Sequence, residues 1–201
     1  MRGRRTDAQR VARFELLWDE LFVRVLGYAL RRTDQEEARD VAAETFTVAW
    51  RRLEDVPAGE GALPWLLAVA RKQLANRRRR EATRSRLPGR PTGRPTGRPT
   101  GAAAPFTAQA TFAGATTPRD PADDVAERSA LAAAFARMSD DDREILALIA
   151  WDGLQPREAA VVQGCSAATF AVRAHRARRR LAALLEAGDG SPALDAQGGR
   201  S

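Results

Sequence analysis

The chain has 201 residues, 33 Lys plus Arg against 26 Asp plus Glu, and a formal net charge of +7, which points to an anionic partner, either nucleic acid or an acidic membrane surface. An aromatic content of 6% argues against one large core and for two small units. Cys165 is the single cysteine, so an internal disulfide and a multi-cysteine zinc site are excluded and a reducing, cytoplasmic setting fits. Lys72 is the only lysine, so the clustering of arginine matters more than its number. The basic start, MRGRRTDAQRVARFELLWDE, runs into charged residues where a secretory signal would be apolar. The longest charge-free apolar segment, GALPWLLAVA, falls well short of the ~20 residues that cross a bilayer.

From Ala8 to Tyr28, Phe14, Leu17, Trp18, Leu21, Val25 and Tyr28 recur every three or four positions and predict an amphipathic helix. A second helix, to about Leu53, starts at Thr33-Asp34-Gln35-Glu36-Glu37, which offers two capping pairs, Thr33 with Glu36 or Asp34 with Glu37. Its buried stripe is Ala38, Val41, Ala42, Thr45, Phe46, Ala49 and Leu53. Glu37, Asp40 and Glu44 share another face, where like charges repel by a few tenths of a kcal/mol per pair; such a stripe in a net-basic protein suggests a basic partner. The segment 54–63 (EDVPAGEGAL) reads as a flexible connection. A third helix follows, from Pro64 to about Thr83, apolar early (Trp65, Leu66, Leu67, Val69, Ala70, Leu74) and cationic late (Arg71, Lys72, Arg77 to Arg80). Trp50 and Trp65 are read as plain core residues.

Between 84 and 122 the composition changes to Pro, Gly, Thr and Arg, with RPTG repeated three times from Arg90 to Gly101. Nothing there can bury much surface, so it reads as a disordered linker. As a coil of about 40 residues it would span roughly 35 Å. Order returns over 123–187. A helix from Asp124 to Arg137 carries Val125, Leu131, Ala134 and Phe135, and a second begins after Ser139, a good N-cap followed by Asp140, Asp141 and Asp142. That helix ends at Asp152-Gly153. Residues 188–201 read as a disordered tail.

The stretch 153–185, GLQPREAAVVQGCSAATFAVRAHRARRRLAALL, is a short helix, a turn at Gln163-Gly164-Cys165 and a longer helix capped by Ser166, the layout of a helix-turn-helix reader of the major groove. Phe170, Ala174, Ala177, Leu181 and Leu184 form one apolar seam, and Arg173, Arg176, Arg178, Arg179 and Arg180 lie mostly off it. A helix apolar on one side and basic on the other packs on its own domain and offers charge to an anion. The fold class is therefore all-α: two small helical domains, 8–83 and 123–187, joined by a flexible linker, the second with a helix-turn-helix.

Taken together, FELLWDELFVRVLGYALRRT, EEARDVAAETFTVAWRRL and PWLLAVARKQLANRRRR in the first half, with MSDDDREILALIAWDGL, the turn GCS and TFAVRAHRARRRL in the second, resemble the extracytoplasmic-function (ECF) group of bacterial sigma factors. The resemblance covers about three quarters of the chain and implies a cytoplasmic, non-enzymatic factor that binds core RNA polymerase and directs promoter-specific initiation, with no cofactor or metal. It implies that the second helix docks on the beta-prime clamp helices through Asp40 and Glu44, with Val41 and Phe46 near the contact, and that the beta flap is a further polymerase contact. Arg71, Lys72, Asn76, Arg77 and Arg80 would hold phosphates at the minus-ten element. In the minus-thirty-five element Ser166 caps the helix, Thr169 and Arg173 or Arg176 can bond phosphate, Arg179 is a further DNA-binding residue, and Ala171, Val172 and His175 occupy the positions that usually face bases. Family members commonly carry a basic residue at the position of Ala171 and a small polar one at Val172. Both are apolar here, so readout falls to thymine methyl groups, His175 or DNA shape. The first helix of the motif has Gln155 where serine is the usual cap, and Ala159 and Gln163 where bulkier aliphatics are usual. The resemblance leaves room for an anti-sigma partner clamping the two domains.

Two other readings compete. One is a repressor or activator that uses the helix-turn-helix without polymerase. The other is a DNA-processing enzyme with an appended helix-turn-helix, which would need a serine, tyrosine or carboxylate constellation in the first half; Tyr28 sits on a packing face and the serines lie in linkers or caps. His175, the only histidine, is separated from Cys165 by more than two helical turns, which disfavours a metal pair.

Overall fold

In the computed structural model, helix α1 spans Arg2–Leu30, starting before the predicted Ala8 and ending two residues after Tyr28. The structure describes residues 2–85 and 121–189; most of the predicted linker, with the RPTG repeat, and nearly all of the tail lie outside the described residues. Val25, Tyr28 and Ala29 of α1 are fully buried, and Phe14, Leu17, Leu21, Phe22 and Leu26 pack against the core from its rim. Helix α2 covers Gln35–Arg51. Of the two capping options the chain uses Asp34, whose carboxylate accepts from the Glu37 N–H at 2.9 Å, while the Thr33 hydroxyl donates to the Glu37 side chain. All seven predicted stripe residues, Ala38 to Leu53, are buried.

The connection to the third helix is folded, against the expectation of a flexible loop. Leu53 leaves α2 to open a 3₁₀ turn, Leu53–Asp55, and a second turn covers Gly59–Gly61. Leu53 and Val56 drop into the core, and the Val56 carbonyl accepts from Arg13 Nη2 at 2.5 Å. Helix α3 runs over Ala62–Ser85, so Pro64 sits in its first turn, where the missing N–H has no partner to lose. Leu66, Leu67, Ala70 and Leu74 are buried, and Trp65 packs half-buried against them. An aromatic cluster joins α1 to α2: Phe14 and Trp18 meet Phe46 edge-on at 6.1 and 4.9 Å. Trp50, read as core, is 39% exposed. It lies edge-on to Phe14 at 5.2 Å, with the Arg10 guanidinium over its ring.

The second unit comprises α4 (Pro121–Arg137), α5 (Asp140–Ala150), α6 (Pro156–Gln163) and α7 (Ala167–Asp189). Ser139 caps α5 by accepting from the Asp142 N–H at 3.2 Å. Ile145, Leu146, Ala147 and Leu148 form its buried face. Phe135 of α4 meets Trp151 edge-on at 5.1 Å. Several boundaries move: α3 starts two residues before Pro64 and enters the predicted linker by two residues, α4 starts at Pro121 instead of the predicted Asp124, and α7 outlasts the predicted end at Ala187. The described residues contain seven α-helices and no strand, and no helix is long and apolar enough to cross a membrane.

The two units do not stand apart. Helix α6 packs on α3, and one apolar cluster runs from Val25 and Leu66 to Phe170 and Ala177. Beside it lies an ion cluster centred on Arg32, whose side chain is 6% exposed against 2% for Asp152 and 18% for Glu144. Arg32 donates from Nε to Glu144 at 2.7 Å and from Nη2 to Asp152 at 2.9 Å. Its plane lies 3.5 Å from the centre of the Tyr28 ring. Arg31 also pairs with Asp152, Arg24 donates to the Asp152 carbonyl at 3.2 Å, and the Tyr28 hydroxyl donates to Glu144 at 3.0 Å. Burial, reinforced by Glu144 and Asp152 and opposed by Arg32, pushes the Tyr28 hydroxyl well above the ordinary tyrosine value.

Tyr28 is the only tyrosine, so its tyrosinate absorbance reads one group. An exposed tyrosine ionises near pH ~10. With its folded value raised, Tyr28 stabilises the fold fully below that pH and progressively less above it as the unfolded chain ionises. The alkaline titration is expected to lie well above pH ~10 and to coincide with unfolding; ionisation near the ordinary value with helicity intact would disprove this burial.

Candidate nucleic-acid interface

The helix-turn-helix is set by one residue of left-handed backbone. Helix α6 opens with the Gln155 N–H donating to Glu158 at 2.7 Å, a contact that replaces the serine cap. It stops at Gly164, where φ is +66°, and the Cys165 N–H returns to the Ala160 carbonyl at 3.0 Å. Of the two positions where bulkier aliphatics are usual, Ala159 is fully buried in the core, whereas the Gln163 Nε2 is buried without a hydrogen-bond partner among the described residues. Ser166 then starts α7, its hydroxyl accepting from the Thr169 N–H at 3.1 Å and contacting the Thr169 hydroxyl at 2.9 Å.

Phe170, Ala174 and Ala177 are buried, with Leu181 and Leu184 packed beside them. The opposite side of α7 is open: Ser166, Thr169, Ala171, Val172, Arg173, His175, Arg176 and Arg179 are all exposed. Val172 is large, apolar and 51% exposed. Arg180 differs from the other arginines. Its Nη1 donates to both Asp142 oxygens at 2.8 and 2.7 Å, and the Ser139 hydroxyl donates to the same carboxylate at 2.9 Å. Arg180 therefore ties α7 to the start of α5 and is spent within the fold.

On the first unit, Lys72, Asn76 and Arg80 are exposed and Arg71 is half-buried. Asn76, Arg79, Arg80, Thr83 and Arg84 line an open basic concavity on α3. Arg77, read as a phosphate ligand, donates to Glu44 at 2.5 Å and to Asp40 at 3.4 Å. A basic partner for the acidic stripe is thus supplied from within the chain. Burial lowers the Arg77 guanidinium, and Glu44 and Asp40 together outweigh it, so the group is held above its ordinary value. The two carboxylates still reach solvent, with 62% exposure at Asp40 and 49% at Glu44. Val41 and Phe46 require correction as contact residues: both side chains are enclosed in the core, at 0% and 1% exposure, because they lie on the face of α2 turned to α1 and α3. Their part is to hold α2 in place.

Sequence reasoning missed the Arg32 cluster. Glu144 and Asp152 lie more than a hundred positions from their arginines, and no local pattern joins them; the adjacent Arg31 and Arg32, directly after a buried helix face, were the only cue. Among the described residues no group of three or more His, Cys, Asp or Glu side chains is placed to hold a metal ion.

This geometry defines a two-unit helical protein whose helix-turn-helix faces solvent with a cationic surface. Residues 128–181 match the model of the family described as sigma-70, region 4. No curated protein sequence matches the chain. Among solved structures, the sigma factor RpoE from Bartonella quintana, in a co-crystal with the anti-sigma factor NepR, is 21% identical with a TM-score of 0.57, the match covering 86% of this chain and 96% of that one. CnrH, in complex with the cytosolic domain of CnrY, is 22% identical with a TM-score of 0.51, covering 87% and 88%. The chain shares their all-α fold across both units.

The open face of α7 generates a direct expectation. Removing one phosphate-directed cation, Arg176→Ala, weakens duplex binding by a similar factor on every sequence and lowers the slope of log affinity against log salt by about 1. Titrations on two unrelated duplexes over a salt series check this; a loss confined to one sequence would make Arg176 a base reader.

Proposed function

We propose that this chain is a sigma factor of the ECF group: a non-enzymatic initiation factor that binds core RNA polymerase and directs it to promoters. The observation that carries the reading is a sigma-70 region 4 domain, residues 128–181, set in a chain with the two-unit fold of RpoE and CnrH. The acidic pair Asp40 and Glu44 projects from α2 toward solvent and is the surface offered to the beta-prime clamp helices, with the beta flap a further polymerase contact. Val41 and Phe46 support it from below.

Promoter DNA meets two surfaces. Lys72, Asn76 and Arg80, with Arg71 beside them, serve the minus-ten element on α3; Arg77 joins them only after exchanging Asp40 and Glu44 for phosphate. On α7, Arg173, Arg176 and Arg179 hold phosphates of the minus-thirty-five element, with Ser166 and Thr169 at the helix start, where the N–H groups and the dipole favour an anion. Ala171, Val172 and His175 face the base edges. With two apolar residues there, discrimination rests on thymine methyl groups, His175 and DNA shape. An anti-sigma protein is a natural regulatory partner, as for the RpoE of the co-crystal.

The test is co-purification with core polymerase followed by promoter-specific run-off transcription. Replacing Asp40 and Glu44 together by arginine sets like charges against a basic partner, which costs several kcal/mol and is expected to weaken core binding about a hundredfold or more. Both side chains are solvent-exposed, so thermal stability should change little. Equal binding by wild type and the double variant removes the acidic pair from the interface. Failure of the wild type to bind core polymerase at all would favour a helix-turn-helix repressor or activator.

A further inference from the structure

The Arg32 cluster has no part in the DNA or polymerase contacts proposed above, yet it places two buried charges, Arg32 and Asp152, between the two units. Ion pairs of this kind add little net stability, because desolvation offsets their attraction, but they penalise the loss of one partner severely. Within one unit the stranded charge would have nowhere to go. Here the charges sit on opposite sides of a seam: Arg24 and Tyr28 belong to α1 and Arg31 and Arg32 to the turn that follows it, whereas Glu144 and Asp152 belong to α5 and the turn after it. Parting the units would rehydrate every one of them without unwinding a helix. The same seam carries the α3 and α6 contact, so closure covers part of the helix proposed for the minus-ten element while leaving the reading face of α7 open.

We infer that the Arg32–Glu144–Asp152 cluster is an intramolecular latch that holds the free chain closed and inactive, and that core polymerase and promoter DNA engage the chain only after it opens. The functional half of this inference rests on the sigma-factor reading. Elements centred at minus ten and minus thirty-five lie roughly 25 base pairs apart, about 85 Å of B-DNA at ~3.4 Å per step. Units whose side chains meet within 2.7–3.2 Å cannot sit on both elements together. Opening is therefore a required step, and the latch sets the fraction of chain competent to take it.

The test uses the full chain with Glu144→Gln and Asp152→Asn combined, which keeps side-chain shape and removes both negative charges. Small-angle scattering should show a larger radius of gyration than wild type with unchanged helicity, and apparent affinity for core polymerase should tighten by about three- to tenfold as the competent fraction rises. A variant as compact as wild type overturns the latch. So does one that loses helicity, since the cluster would then be a plain stability element. An expanded variant that binds core no better than a binding wild type overturns the inhibitory role. If neither protein binds core yet the variant expands, the sigma-factor reading fails while the latch stands. Arg32→Lys provides a second arm: it keeps one charge but loses the two-sided fork, and is expected to fall between wild type and the double variant in radius.

Discussion

Arg32 is the constraint around which the two halves are arranged. Burial alone would lower its guanidinium; Tyr28, Glu144 and Asp152 around it reverse that, and the group is held above its ordinary value. Its planar fork is what allows this, because one edge reaches Glu144 from Nε while Nη2 reaches Asp152 and Nη1 closes on the Tyr28 carbonyl. Lysine, as a point charge, could not face three directions at fixed angles. The orientation of α5 on α1 follows from that fork, and with it the placement of α6 against α3.

The first unit carries a second internal pairing, of the opposite character. Arg77 bridges Asp40 and Glu44 at the surface, where water competes and exchange is cheap. The like charges on α2 are thereby relieved at little cost to their availability. A buried cluster that resists exchange and an exposed one that permits it divide the labour between fixing the units and leaving surfaces ready for partners.

Most of the fold could be read from the residues in order. The stripes of α2 and α7, the caps at Asp34, Ser139 and Ser166, and the turn at Gly164 depend on neighbours within four or five positions, and periodicity reports such neighbours well. Three features escaped for physical reasons. The loop after α2 was read from its Pro and Gly content, yet Leu53 and Val56 bury themselves and fold it. Val41 and Phe46 share a helix with the acidic pair but lie on its inner face, which a role assigned by resemblance did not separate from the outer one. The Arg32 cluster joins residues distant in sequence, and mutual burial of charge leaves no periodic trace. Trp50 shows the limit in another way, since a large apolar residue at helical spacing can end on the rim with an arginine over its ring.

The link from Ser139 through Asp142 to Arg180 gives the cap of α5 a second consequence. That carboxylate is fixed by the helix start it belongs to, and it in turn grips α7 at Arg180, about two turns beyond Val172 and Arg173. Helix α7 is a stiff rod, and a rod gripped at the far end is aimed from there. A small change of angle at the grip becomes a larger displacement at Val172 and Arg173, about 10–12 Å away along the axis. The aim of the exposed, arginine-rich face of α7 is thus held from the start of a different helix.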